Sequence, residues 1–577
     1  MRPILFAAAA ILGAGHWASA QTPPSANPVE RMAPQTAPQL RPAIQGAPII
    51  EQQRGPAQAA PIRIARVAFS GNTALPEAEL LRRIGDITSA AVPQSRIEEA
   101  RLAVLRAYRD AGYPFVSVSV GLAQLPDRQS ALTIAVVEGF VAEVRIEGDR
   151  EAIGPAGAQI LGFLQKLVGQ RPASAAALER ALLLSADVPG MRIGGTVRPL
   201  QSEPGALQLV VQVERKPYSG YLNLDNRGYE RVGPFQGLLV GGVNSMTAMG
   251  ERTELAVFGA RNNSQYFGQL SSELFLGASG LRVRGYVGAG KTRPLGDLRA
   301  IGYTGETQVG GIGATYPVVR SRPFNFYLNG AVDIFNTEVT TTAGGPETRA
   351  SLDKVRTLRI GAETQILENI LPFFPAATTF AQLRVHRGLD IFGPSTTGDQ
   401  TTGRSGAEDF LFSKVTAEIQ RLQPIWSPVA NHMINVQGLV AGQWSNDVLP
   451  QSEKFFLGGS RLNRGFYSGQ VTGDNAIGFA VELQYDIQAD MPVQVPFGSG
   501  KLGTQLYVFR DIGRSFENLQ TDADRRLSSW GGGVRLTISE NVQLDLEAAN
   551  RITRRPDGAA AEVLDDTVVI SRALIRY

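Results

Sequence analysis

The feature that most constrains this chain is a period-two alternation that sets in after Lys216-Pro217 and continues to the end without any helical pattern. Leu281, Val283, Gly285 and Val287 make one apolar or small face, and Arg282, Arg284 and Tyr286 make the other. Side chains of a strand point alternately to opposite sides, so such runs predict strands with a single apolar face. Similar runs lie at 324–334, 358–362, 415–419, 434–444, 477–485 and 542–546. In the last, Gln543, Asp545 and Glu547 form the second face, which suits a water-filled lumen with lipid on the other side. Roughly 360 residues at about 22 per strand and connection predict about sixteen antiparallel strands, an even number typical of bacterial outer-membrane barrels. Closure into a barrel removes the sheet edges that lipid cannot satisfy. A soluble sandwich or solenoid would alternate too, but no fixed short repeat is present, and glycines, 63 in the chain, are frequent on the presumed lipid face.

Ahead of the barrel the texture differs. Arg2, the apolar run 4–12 and Ala18-Ser19-Ala20 have the layout of a signal peptide over 1–20, with a mature chain from Gln21. Residues 21–61 carry prolines at 23, 24, 28, 34, 38, 42, 48, 56 and 61 and read as an extended linker that reaches without folding. From Ile62 a strand leads into a helix with Leu80, Leu81 and Ile84, and then a second with Ile97, Ala100, Val104 and Tyr108, stopped by Gly112. Strands at 115–120 and 131–138 complete a βααββ order. The same order recurs with a strand at 141–147, helices at 156–168 and 174–185, and strands at 192–199 and 207–214. The expected fold class is therefore two α+β modules, 62–139 and 140–215, followed by an all-β transmembrane barrel over 216–577.

Composition narrows the chemistry. There is no cysteine, which removes disulfides and thiolate sites together. The 56 basic and 53 acidic residues nearly cancel, so the formal charge of +3 gives no footprint for nucleic acid. Of three histidines, His16 falls in the signal segment, and His386 and His432 stand apart without neighbouring ligands, so no metal site is expected. The run 285–292 fits the phosphate-loop pattern G-x-x-x-x-G-K-T, but its glycines lie in an alternating strand, and Pro294 and Gly296 deny it the helix that phosphate binding requires. No nucleophile stands beside a base, so neither an enzyme nor a cofactor is expected.

Several motifs carry a family resemblance. The first module holds Phe69-Ser70-Gly71-Asn72, Tyr108-Arg109-Asp110-Ala111-Gly112-Tyr113 and Val137-Glu138-Gly139; the second holds Leu182-Leu183-Leu184 and Val188-Pro189-Gly190; Asp225-Asn226-Arg227-Gly228 follows. Late in the barrel come Phe456-Leu457-Gly458-Gly459, then Asn463-Arg464-Gly465-Phe466-Tyr467, and further on Phe509-Arg510-Asp511-Ile512-Gly513. With these the chain resembles the two-partner secretion transporters, the TpsB or ShlB/FhaC/HecB group of the outer-membrane assembly-factor superfamily. The resemblance implies that both modules are periplasmic POTRA domains, with Gly71, Asn72, Gly112, Tyr113, Glu138 and Gly139 as landmarks of the first. It further implies that the segment near 445–476 folds into the lumen, so that its tip, Arg464 to Tyr467, meets the wall motif of Phe509, Asp511 and Gly513. Alternation puts Tyr507, Phe509 and Asp511 on one face and Leu506 and Val508 on the other, so Asp511 is expected in the lumen. Asn463 departs from the hydrophobic residue usual before that arginine, and relatives often carry a plugging helix where this chain has its proline-rich start, so a plug is left open here. Tyr577, an aromatic last residue, resembles an outer-membrane assembly signal.

The function implied is secretion of a TpsA-type partner exoprotein across the outer membrane without ATP. The partners implied are that exoprotein, outer-membrane lipid, and the barrel assembly machinery with periplasmic chaperones during biogenesis. The rival is an insertase of the same superfamily, against which stand the two modules in place of a longer series and the proline-rich segment. A passive pore or adhesin would need no periplasmic modules.

Overall fold

The computed structural model describes residues 27–33, 61–125, 130–148, 153–229, 231–343, 345–495, 498–539, 541–554 and 564–577. The signal segment 1–20 lies outside these, as does the proline-rich segment apart from 27–33.

The first module runs through strand Ile62–Ser70, helix Glu77–Ile84, strand Ala91–Val92, helix Gln94–Asp110 and strands Val116–Gln124 and Ser130–Glu138. The two-residue strand is an addition to the expected βααββ order. It pairs antiparallel with Ile62 and Arg63, and so occupies one edge of a four-stranded sheet whose other edge is Val116–Gln124. The apolar stripes of the helices, Leu80 and Ile84 with Ile97, Val104 and Tyr108, close on Ile64, Leu132 and Ile134 of the sheet. The second module keeps the βααββ order in a three-stranded sheet. Its first helix, Gly157–Gln165, is shorter than the expected 156–168, because the chain turns at Gly169 and the amide there donates to Val141 O at 2.9 Å.

The second module sits on the barrel. Arg320 holds Asp187 through Nε and Nη2 at 2.7 and 2.8 Å, Gln159 donates to Gly277 O at 2.9 Å, and Phe163 meets Phe275 edge-on at 5.4 Å. Those partners lie on or beside short turns between neighbouring strands, so these turns share the end of the barrel that the modules occupy.

Sixteen antiparallel strands, from Tyr218–Asp225 to Thr567–Arg576, close the barrel when the last pairs with the first. Leu255, Val257, Val287, Ile312, Ile360 and Leu383 face outward and are exposed, while Phe258, Glu482, Asp511 and Glu547 face inward and are buried. The phosphate-loop look-alike lies within strand Arg282–Thr292, and a single helical turn, Asp297–Ala300, follows only after Gly296.

The proline-rich segment corrects one expectation. Residues Pro28–Met32 form a short helix inside the barrel, not an extended connection. Proline at the first helical position costs nothing there, and Asn27 caps the turn by accepting from the Val29 amide at 3.0 Å. Val29 and Met32 are covered by Leu238, Val240, Ala256 and Phe258 of the wall. Asn223 donates to Met32 O at 2.8 Å.

Candidate functional site

The connection between strands His432–Ser445 and Asn475–Val495 enters the lumen instead of crossing its rim, and a two-stranded ribbon, Phe455–Leu457 with Val471–Gly473, stiffens its stem. At its tip the Arg464 guanidinium grips Asp511 with both prongs, Nη2 to Oδ1 at 2.9 Å and Nε to Oδ2 at 3.0 Å, and the Arg464 amide adds a bond to Oδ2 at 2.8 Å. Nη1 reaches Glu482, and the guanidinium plane lies 3.9 Å from the centre of the Phe509 ring. A planar fork that binds a carboxylate on its edge and an aromatic on its face uses both properties that distinguish arginine from lysine. Glu482 is shared with Arg535, whose guanidinium lies 3.7 Å over Tyr507.

The rest of the tip is shaped for close approach. Asn463 adopts φ 55°, in the left-handed region where asparagine is tolerated far better than a branched apolar residue. That conformation accounts for the departure at this position: the side chain is fully buried, and Nδ2 donates to Leu527 O at 3.3 Å. A Cβ at Gly513 would overlap Asn463 Oδ1, and one at Gly465 would press on Ser529 Cβ at 2.8 Å, so two glycines let tip and wall touch. The Gly465 amide donates to Ser529 Oγ at 3.3 Å. Phe466 is buried with Leu457 and Leu527, and Tyr467 lies under Arg551 at 5.3 Å.

Further ion pairs hold the stem and its surroundings, and none belongs to the quoted motifs. Glu453 is held by Lys414 at 2.8 Å and Arg359 at 2.9 Å, both from the barrel wall. At the outer mouth Arg404, on the connection after strand Ala377–Gly388, pairs with Asp474 at 3.0 Å and Asp522 at 2.6 Å, and Lys454 pairs with Glu517 at 2.7 Å. Three separate connections are thereby tied together. Sequence parity places Glu547 in the lumen and could have marked Glu482 in the same way, since Val481, Leu483 and Leu546 beside them face outward. Between the loop and the short helix lies a cavity of about 480 Å³, and toward the modules a second of about 810 Å³ is lined by Val29, Glu254, Glu273, Arg282 and Arg384.

The landmarks of the first module gather far from this lumen. Glu138 accepts from the Thr73 and Ala74 amides at 2.7 and 2.9 Å and from Tyr108 Oη at 2.7 Å. Burial alone would raise its pKa, but the bonds from Thr73, Ala74 and Tyr108 outweigh it and hold the carboxyl below its usual range. Burial and the neighbouring Glu138 carboxylate push the Tyr108 phenol up. Gly71 and Gly139 leave room that a Cβ would fill, against Val136 O and Phe115 O. Asn72 donates to Leu75 O at 3.2 Å, Gly112 turns with φ 88°, and Tyr113 meets Tyr108 edge-on at 6.4 Å. The cluster fixes the turn between the first strand and helix. Tyr577, at the closing seam, donates its amide to Gly220 O at 2.9 Å, and Lys216 Nζ stands 4.9 Å from its ring centre.

Residues 354–536 match the family described as haemolysin secretion/activation protein ShlB/FhaC/HecB, and residues 62–139 match POTRA, surface antigen variable number repeat. The chain is 20% identical over 396 residues to the heme/hemopexin transporter protein HuxB of Haemophilus influenzae (strain 86-028NP). That match spans 66% of this chain and 65% of the relative's length, just under two thirds. In fold it is similar to CdiB from Escherichia coli, with a TM-score of 0.69 at 16% identity over 92% of this chain and 93% of that one. It is similar also to CdiB from Acinetobacter baumannii, with a TM-score of 0.62 at 15% identity over 95% of each.

Proposed function

Because the chain belongs to the ShlB/FhaC/HecB family of outer-membrane barrels with amino-terminal POTRA domains, we propose that it secretes a partner exoprotein through its own lumen. The two modules take up an extended segment of the partner in the periplasm, most simply by adding it as a strand to an open sheet edge such as Val116–Gln124. No nucleotide drives the transfer. Folding of the partner outside the cell makes return unfavourable and so draws the equilibrium outward. The gate is the inward loop, and departure of Arg464 from Asp511 is the opening step.

The observation that carries this reading is the seating of the loop tip: a buried arginine, two buried carboxylates and an aromatic face hold an otherwise removable segment inside the lumen. Opening requires that segment to leave, and it is attached at both ends, so it swings without being lost.

The test is secretion of a candidate exoprotein by cells carrying the native chain, an Arg464→Ala variant, or a chain lacking 62–215. Loss of the exoprotein from the medium in both variants, with the barrel still inserted, is the expected result. Normal secretion by Arg464→Ala would defeat the gating step. Depletion of other outer-membrane barrels with secretion unchanged would move the function to insertion.

A further inference from the structure

The motif Asp225-Asn226-Arg227-Gly228 lies where the first barrel strand ends, beside the last. Asn226 turns toward the last strand: Nδ2 donates to Val569 O at 3.0 Å, and Oδ1 accepts from the Ser571 amide at 2.8 Å. Arg227 turns the other way, into the lumen, with its side chain 11% exposed. Its Nη1 donates to Gly459 O at 3.0 Å and to Arg464 O at 2.5 Å, and its Nη2 pairs with Glu547 Oε1 at 3.1 Å. Its own carbonyl accepts from the Ser468 amide at 3.0 Å. One residue just beyond the first barrel strand thus holds the loop before the tip, at the tip and after it. Glu547, steadied by Tyr507 Oη at 2.9 Å, fixes the guanidinium that makes the first two contacts.

We propose that Arg227 is the positioning residue that couples the seat of the loop tip to the seam of the barrel. The two arginines are reciprocal: Arg464 carries charge from the loop to carboxylates of the wall, and Arg227 carries donors from the wall to carbonyls of the loop. A guanidinium has five donors in a fixed fork and can serve two carbonyls and a carboxylate at once, whereas an ammonium is a single point. The seam itself is short. Last and first strands pair only from Arg576 with Tyr221 to Arg572 with Asp225, while on its other side the last strand pairs from Ile575 with Val542 to Thr567 with Asn550. Asn226 and Arg227 extend the seam beyond its ladder, one by joining the last strand and the other by leaning on the seated loop. Release of the tip therefore removes a strut from the seam, and strain at the seam draws Arg227 off both carbonyls. This inference rests on the reading of the loop as a gate, and adds what the gate is joined to.

The chain has no cysteine, so a single introduced thiol reports without background. Ser468 is 5% exposed, and a Ser468→Cys chain in lipid vesicles is labelled slowly by maleimide while the tip is seated. Adding Arg227→Ala is expected to raise the labelling rate by about tenfold, with Arg227→Lys close to alanine, and unchanged heat-modifiable migration shows that the barrel is still folded. The coupling is read separately, as amide hydrogen exchange over 567–576 in an Arg464→Ala chain, a substitution that does not touch the seam. Faster exchange there supports the coupling. Unchanged labelling in Arg227→Ala overturns the positioning role, and a freed tip with native exchange over 567–576 overturns the coupling. Secretion is a third readout: labelling and exchange as expected, with secretion unimpaired, would uphold this inference and sink the gating reading.

Discussion

Asp511 is fully buried, and Arg464 donates three hydrogen bonds to its carboxylate. Removing one member of a buried pair typically costs about 3–5 kcal/mol where the other is left alone, and less here, because Glu482 still holds Arg464 when Asp511 is lost. Asp511→Ala should therefore lower the temperature at which the barrel loses its folded gel mobility, and Asp511→Asn should lower it less. Glu138 gives a prediction of a different sign structure. Its folded pKa is depressed, so its contribution is present above the unfolded value of about 4.3 and disappears as pH falls through the folded value. Glu138→Gln should abolish that part of the acid sensitivity of the first module, as followed by proteolysis of the full chain between pH 6 and pH 3. At this scale the sequence makes the Arg464 and Asp511 motifs visible because each is a run of distinctive residues. Glu482, Glu547 and Glu453 are single charges, whose direction parity can suggest but whose partners arrive from strands and loops far away in the chain.

Among elements, the second module is tied to the barrel turns by polar contacts such as Arg320 with Asp187 and by Phe275 and Ala278, which pack into the module's apolar core. Arg320→Ala should loosen this seat and speed proteolytic cleavage near 216, with the barrel unaffected. The tied connections at the outer mouth respond otherwise. Arg404 has a side chain 3% exposed between Asp474, Glu517 and Asp522, so Arg404→Ala leaves two or more carboxylates crowded in a poorly hydrated space. Faster cleavage of the connections around 404 and 522 by external protease is expected. Element order was readable because each helix and strand has its own period, and the sixteen strands follow from the length of alternating texture. Several short elements were not, the ribbon Phe455–Leu457 with Val471–Gly473 and the turn Asp297–Ala300 among them. Ala91–Val92 is too short to have a period, and Pro28–Met32 shows only two apolar residues, whose cover comes from the barrel wall some 200 residues later.

For the molecule as a whole, the lumen is filled from both directions, by the loop entering from the outer mouth and by the short helix from the amino-terminal segment. Deleting 27–33 should raise the ion conductance of single barrels in planar bilayers severalfold, since it joins the two cavities that the helix now separates. The helix is also on a leash. Residues 34–61, 28 in number, connect it to the first module, and a chain of that length spans at most about 95 Å. Once pushed aside, the segment stays at an effective concentration on the order of millimolar relative to its own seat. Resealing is then a first-order event whose speed is set by the length of that connection and not by how many barrels the membrane holds: each barrel keeps a stopper of its own.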